Sequence, residues 1–158
     1  MFLRIVLGLV AGVLLSATSM FAQTAPAAPA QAAAAPSPFA FPGDAGVILN
    51  FIKADKTADF EMVLGKVKEA LAKSEKPERK AQAASWKVFK ASEPGPNSAA
   101  IYVFIMDPVA KGAEYKVGDI LVEAFGAEGQ TLYKTYSEAY GTPAFNILHL
   151  TNVASLGK

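Results

Sequence analysis

The chain contains no cysteine and a single histidine among 158 residues. Without cysteine there is no disulfide framework, no thiolate nucleophile, and no Cys-based zinc or iron–sulfur site. One histidine makes a His-based zinc site implausible, because zinc takes three or four protein ligands. No metal is expected on these grounds. Serine-hydrolase, zinc-protease and dinucleotide signatures are absent too: there is no GxSxG, HExxH, GxGxxG or phosphate loop. The formal net charge is +1, and no basic stretch is dense enough to follow a phosphate backbone, so nucleic acid is not an expected partner. The carboxylates form no obvious catalytic pair. Asp59 and Glu61 suit the start of a helix, and Glu69 and Glu75 a solvated face.

What is present begins with an export signal. Arg4 precedes the apolar run "IVLGLVAGVLL", and small and polar residues follow as far as Ala22. A charged start, an apolar centre and small residues near a cut describe a secretory signal. The apolar run is about 11 residues, against the roughly 20 needed to cross a bilayer. Cleavage fits best after "ATS" (Ala17–Ser19), with Ala22 as a second site; an uncleaved N-terminal anchor is the alternative. The mature chain is therefore expected to be periplasmic or secreted, with no membrane span after cleavage. Residues 23–42, "QTAPAAPAQAAAAPSPFAFP", are nearly all Ala and Pro, lack charge, and read as a linker stiffened by proline.

Residues 43–158 read as one small domain. "GVILNFIK", Gly46–Lys53, is a strand with Val47, Leu49 and Phe51 on one face and Ile48 and Ile52 on the other. "ADKT" turns the chain, Thr57 is placed to cap a helix, and Phe60, Val63, Leu64, Val67 and Leu71 form its apolar stripe. Pro77 ends or breaks that helix, and "PERKAQAA" has room for one further turn. Ser85–Ala91 and "AAIYVFIMD" are two strands joined through the turn "SEPGPNS". "KVGDILVEAFG" and "EGQTLYKTYSEAYG" follow as helical sequence, with Gly141 as the stop. "AFNILHLTNVA" is a last strand. The order strand, helix, strand, strand, helix, strand is the ferredoxin-like, or split βαβ, arrangement of the α+β class: a four-stranded antiparallel sheet with its helices on one face. Both Val47–Ile52 and Ile101–Met106 are apolar on both faces. The open side of the sheet then asks for cover, either by a second copy in a homodimer or by the Ala/Pro linker. Ile48 and Ile52, with either the Ile101 or the Tyr102 row, are the residues expected on that open side, and Ile48→Asp is the disruptive substitution.

The stretches "FIKADKTADFEMVLGKV" and "ASWKVFKA…AAIYVFIMD" resemble the dimeric α+β barrel superfamily, and within it the antibiotic biosynthesis monooxygenase-like domains. Lys53, Lys56 and Phe60 match the family's lysine-rich turn and early helical aromatic, while Ala54 and Asp55 depart from its Pro and Gly. The resemblance spans residues 46–153. It implies a face-to-face dimer and admits cofactor-free oxygenases, isomerases, haem enzymes and members without catalysis. The family's haem-degrading residues do not carry over. Asn50 does not align with that family's asparagine, Trp86 is on the second strand, and the one histidine is on the last strand.

Four residues are candidates for a ligand site. Asn50 interrupts an apolar row, and a buried amide must find partners. Trp86 and Tyr102 are candidate cavity walls whose ordinary role is sheet core. His149 belongs to the residue type that changes charge near neutral pH. Tyr133, Tyr136 and Tyr140 have helical spacing, which reads as packing. The expectation is an exported homodimer that binds a small apolar or aromatic molecule and needs no cofactor. A cofactor-independent monooxygenase-like or isomerase-like enzyme, and a module that docks another envelope protein, are the alternatives.

Overall fold

The computed structural model describes residues 37–156; the signal and most of the linker lie outside the described residues. Four strands and four helices follow in the order β1 (Ala45–Ile52), α1 (Thr57–Lys73), α2 (Pro77–Ser85), β2 (Trp86–Pro94), β3 (Ala100–Met106), α3 (Val117–Phe125), α4 (Ala127–Glu138) and β4 (Tyr140–Leu150). All pairings are antiparallel and the sheet order is β2-β3-β1-β4. This is an α+β fold with the helices packed on the sheet.

The helical content exceeds the sequence expectation. Pro77 does not merely end α1: it opens α2 as a first-turn proline, where its missing N–H is not needed. The inward face of α2 is polar. Arg79 Nη1 donates to Gln82 Oε1 at 2.8 Å, and Gln82 Nε2 donates to the Glu114 carbonyl at 3.0 Å. Arg79 Nη2 reaches Glu123 at 3.1 Å. These bonds tie α2 to α3 and to the loop before it, which apolar periodicity cannot register. The second helical region is two helices, broken at Gly126 with φ +57°, a left-handed conformation that favours glycine. Thr57 is the first residue of α1 rather than its cap, and its hydroxyl donates back to the Ala54 carbonyl at 3.4 Å. Gly141 lies within β4 rather than stopping a helix.

Pairing register sorts the side chains into faces, since residues opposite one another point the same way. Ile48 pairs with Phe104 and Ile147, and Asn50 with Tyr102 and Phe145. These rows face the helices, where Phe60, Val63, Ile120 and Leu121 complete the core. The opposite face carries Leu49 beside Val103, with Phe89 next in that row, and Val47 between Ile105 and Leu148. Ile48 and Ile52 are therefore core, at 3% and 0% exposure, and the expectation that they lie on the open side is corrected. That side belongs to Val47, Leu49 and the Ile101–Val103–Ile105 row. The alternation of a strand that is apolar on both faces is symmetric, so its sequence does not say which row meets the helices.

The domain also begins earlier than Gly43. Phe41, at 4% exposure, packs edge-on against Tyr115 at 5.6 Å and rests on Gly46, whose hydrogen leaves room for its ring. Ala40 bridges to Glu114, and the Tyr115 N–H donates to the Phe39 carbonyl at 3.0 Å.

Candidate functional site

Asn50 is 1% exposed and sits in the middle of β1. Its amide nitrogen donates to the carbonyls of Tyr102 at 3.0 Å and Ile48 at 3.3 Å. Both partners are pure acceptors, which fixes the amide orientation: nitrogen toward the strands, oxygen toward the helices. The Asn50 oxygen accepts from the Tyr140 hydroxyl at 2.8 Å, and the Tyr140 oxygen lies 2.5 Å from that of Tyr136. Tyr140 has one proton, and an amide oxygen only accepts. The chain therefore runs Tyr136 O–H to Tyr140 O–H to Asn50 Oδ1.

These three polar groups stand at the wall of a cavity of about 260 Å³ between the sheet and α3–α4. The rest of the lining includes five aromatic residues, Phe39, Phe104, Tyr115, Tyr133 and Phe145, with Ile48, Val117 and Ala144 among the others. Ring contacts hold the walls together. Tyr136 stacks on Phe60 at 5.1 Å, Phe145 meets Tyr140 at 6.0 Å, and Phe39 meets Phe145 at 5.7 Å. Gly118 lies directly under the Tyr133 ring. Burial pushes the hydroxyls of Tyr136 and Tyr140 well above the ordinary phenol range, so both are neutral at any physiological pH. Lys116 is the one charged residue of the lining, and it pairs with Glu114 at 2.8 Å and Asp119 at 4.0 Å.

The four sequence candidates divide. Asn50 lines this cavity. Tyr102 is its cross-strand neighbour and gives it a carbonyl, but the Tyr102 hydroxyl turns away to Glu61. That bond, with Lys90 at 2.9 Å, holds the Glu61 carboxyl below its usual range. Trp86 and His149 lie at opposite ends of one row, Trp86–Met106–Gly46–His149. Three strand spacings separate them, roughly 14 Å. Trp86 borders a separate surface groove with Leu64, Val67 and Val88. His149 is exposed, and its ring lies 5.0 Å from Phe41. No shared site unites the four. Tyr136 and Tyr140, read from sequence as packing, are the partners Asn50 required; their i, i+4 spacing was the available signal.

Among the described residues no group of three or more His, Asp or Glu side chains is placed to hold a metal ion. Among the same residues, no helix is long and apolar enough to cross a membrane. Fold and site together define the chain as an α+β domain with a partly open, aromatic-rich cavity between its antiparallel sheet and its helices. No protein-family model matches the sequence, and a search of curated proteins finds no relative.

Proposed function

We propose that this is an exported binding module that holds a small apolar or aromatic molecule between its sheet and helices, and that it works as a homodimer. The cavity walled by Asn50, Tyr136 and Tyr140 carries this reading. Seven aromatic residues, Phe39, Phe104, Tyr115, Tyr133, Tyr136, Tyr140 and Phe145, line a space whose other polar groups are Asn50, Ser137 and the ion-paired Lys116. Ligand sites have this composition: mostly apolar, with a few placed polar groups. The space is smaller than a typical drug site, so the occupant is small. Of the lining residues that could act as base or nucleophile, Lys116 is ion-paired with Glu114 and the Ser137 hydroxyl donates to the Lys134 carbonyl at 2.9 Å, which favours binding over turnover. A titration followed by amide NMR, with toluene as the probe, is expected to give saturable shifts at Ile48, Phe104 and Tyr136. The absence of any saturable shift would sink the binding reading.

The dimer rests on the open face. The strand order is that of a ferredoxin-like sheet, and a second sheet packed face to face would make a dimeric α+β barrel. Phe89 and Leu148 are 52% and 47% exposed there, beside the half-buried Val47, Leu49, Ile101, Val103 and Ile105. A contiguous apolar patch of this kind marks an interaction surface on a soluble protein. Self-pairing about a two-fold axis buries it without a second complementary sequence. Leu49→Asp places a charge at the centre of that face without touching the cavity. Sedimentation at micromolar concentration should show a dimer for the wild type and a folded monomer for the variant. A wild-type monomer, or a variant that dimerises unchanged, refutes the pairing.

A further inference from the structure

The hydrogen-bond chain at the cavity wall has a direction, and the direction carries information about the ligand. Asn50 Oδ1 is buried, and its donor is the Tyr140 hydroxyl. If the Tyr140 proton turned to Tyr136 instead, that amide oxygen would be left without a partner, which is the unfavourable arrangement. The Tyr140 proton therefore belongs to Asn50 and the Tyr136 proton to Tyr140. The Tyr136 oxygen is left with an open acceptor position and no proton to offer. Nor does the cavity hold a free charge: Lys116 is already matched by Glu114 and Asp119.

Building on the binding reading, we propose that the cavity selects neutral, largely apolar molecules that present a hydrogen-bond donor, and that the Tyr136 oxygen is the acceptor that reads it. At the Tyr136 oxygen, a molecule whose only polar atom is an acceptor would bring two lone pairs face to face. An anion would gain no compensating cation. The specificity thus lies in the polarity of one contact, with the aromatic walls supplying the affinity.

Indole and benzofuran test this, because they share a shape and differ in an N–H against a ring oxygen. Calorimetric titration of the full chain should show indole bound about tenfold or more tightly than benzofuran, the penalty of one unmade buried contact. Tyr136→Phe removes the acceptor and should bring the two affinities within about threefold of each other. Tyr140→Phe frees the Tyr136 proton to point into the cavity, so the preference should shift toward benzofuran. Equal binding of the two probes to the wild type, or tighter binding of benzofuran, overturns the donor rule while leaving the binding reading in place. Failure of both probes to bind removes the binding reading and this inference with it. A preference for indole that survives unchanged in both variants assigns the selection elsewhere and refutes the role of Tyr136.

Discussion

Tyr140→Phe and Tyr136→Phe each delete one hydroxyl oxygen from the same chain, yet they should differ in stability. Tyr140 is the middle link. Without its hydroxyl, Asn50 Oδ1, in a residue 1% exposed, loses its donor, and the Tyr136 hydroxyl loses its acceptor. The Tyr136 hydroxyl can rotate toward the cavity, but the amide oxygen has no such freedom. A buried acceptor left unpaired costs about 1–3 kcal/mol. Tyr136 is the end link. Its removal takes a donor from Tyr140 but leaves Tyr140 donating to Asn50, and a single net hydrogen bond is worth about 0.5–1.5 kcal/mol. Packing changes are the same small step in both. For a domain of this size, each kcal/mol shifts Tm by roughly 3–6 °C. Tyr140→Phe should therefore melt roughly 3–18 °C below wild type, and Tyr136→Phe about half as far below. Thermal unfolding followed by circular dichroism, with urea unfolding to check that the slope is unchanged, measures both. If Tyr136→Phe is as damaging as Tyr140→Phe, or more so, the direction assigned to the chain is wrong.

Two glycines should respond to alanine with opposite signs. A Cβ on Gly129 would lie 2.3 Å from the Leu121 carbonyl oxygen, so Gly129→Ala must push α4 off α3 and should destabilise by about 1–3 kcal/mol. Gly65, inside α1, has nothing within 4 Å, and Gly65→Ala should stabilise by about 0.5–1 kcal/mol; chemical unfolding of the pair decides both signs. Alkaline pH should unfold the domain in a defined window. Burial raises the Tyr136 and Tyr140 hydroxyls in the folded state, so their contribution is intact below the ordinary phenol value and declines as pH rises above about 10. Phenolate absorbance from these two residues should grow only as the helical signal falls; ionisation of both in a fully helical protein would contradict their burial.

The parts of the fold legible in the sequence are those that periodicity encodes. The stripe Phe60/Val63/Val67/Leu71 and the four strands could be read because each repeats a spacing over several residues. The polar face of α2 could not, because Arg79 and Gln82 are held by a backbone carbonyl more than thirty residues away. The choice between the Ile48 and Val47 rows was likewise hidden, since β1 is apolar on both sides and only helix packing distinguishes them. Asn50 was legible as an anomaly. Its partners were not, because Tyr136 and Tyr140 also fit the spacing of an ordinary packed helix, and Tyr140 turned out to be the first residue of β4.

That anomaly is the strongest argument that the cavity is a site. Valine or isoleucine at position 50 would continue an apolar row and would need no partners. Asparagine there requires two strand carbonyls, and its oxygen requires a tyrosine hydroxyl that itself leans on a second tyrosine. Buried polar networks of this kind are favourable only when every member is satisfied, and they add little stability over a well-packed apolar core. A sequence otherwise consistent with its fold at each level departs from that consistency where another requirement acts. The Arg79–Gln82 cluster on α2 ties two helices and a loop together, whereas the departure on β1 borders a cavity and ends at the Tyr136 oxygen. Tyr136 is itself buried in the lining of an aromatic space, and an unclaimed acceptor there is what the proposed binding role would use.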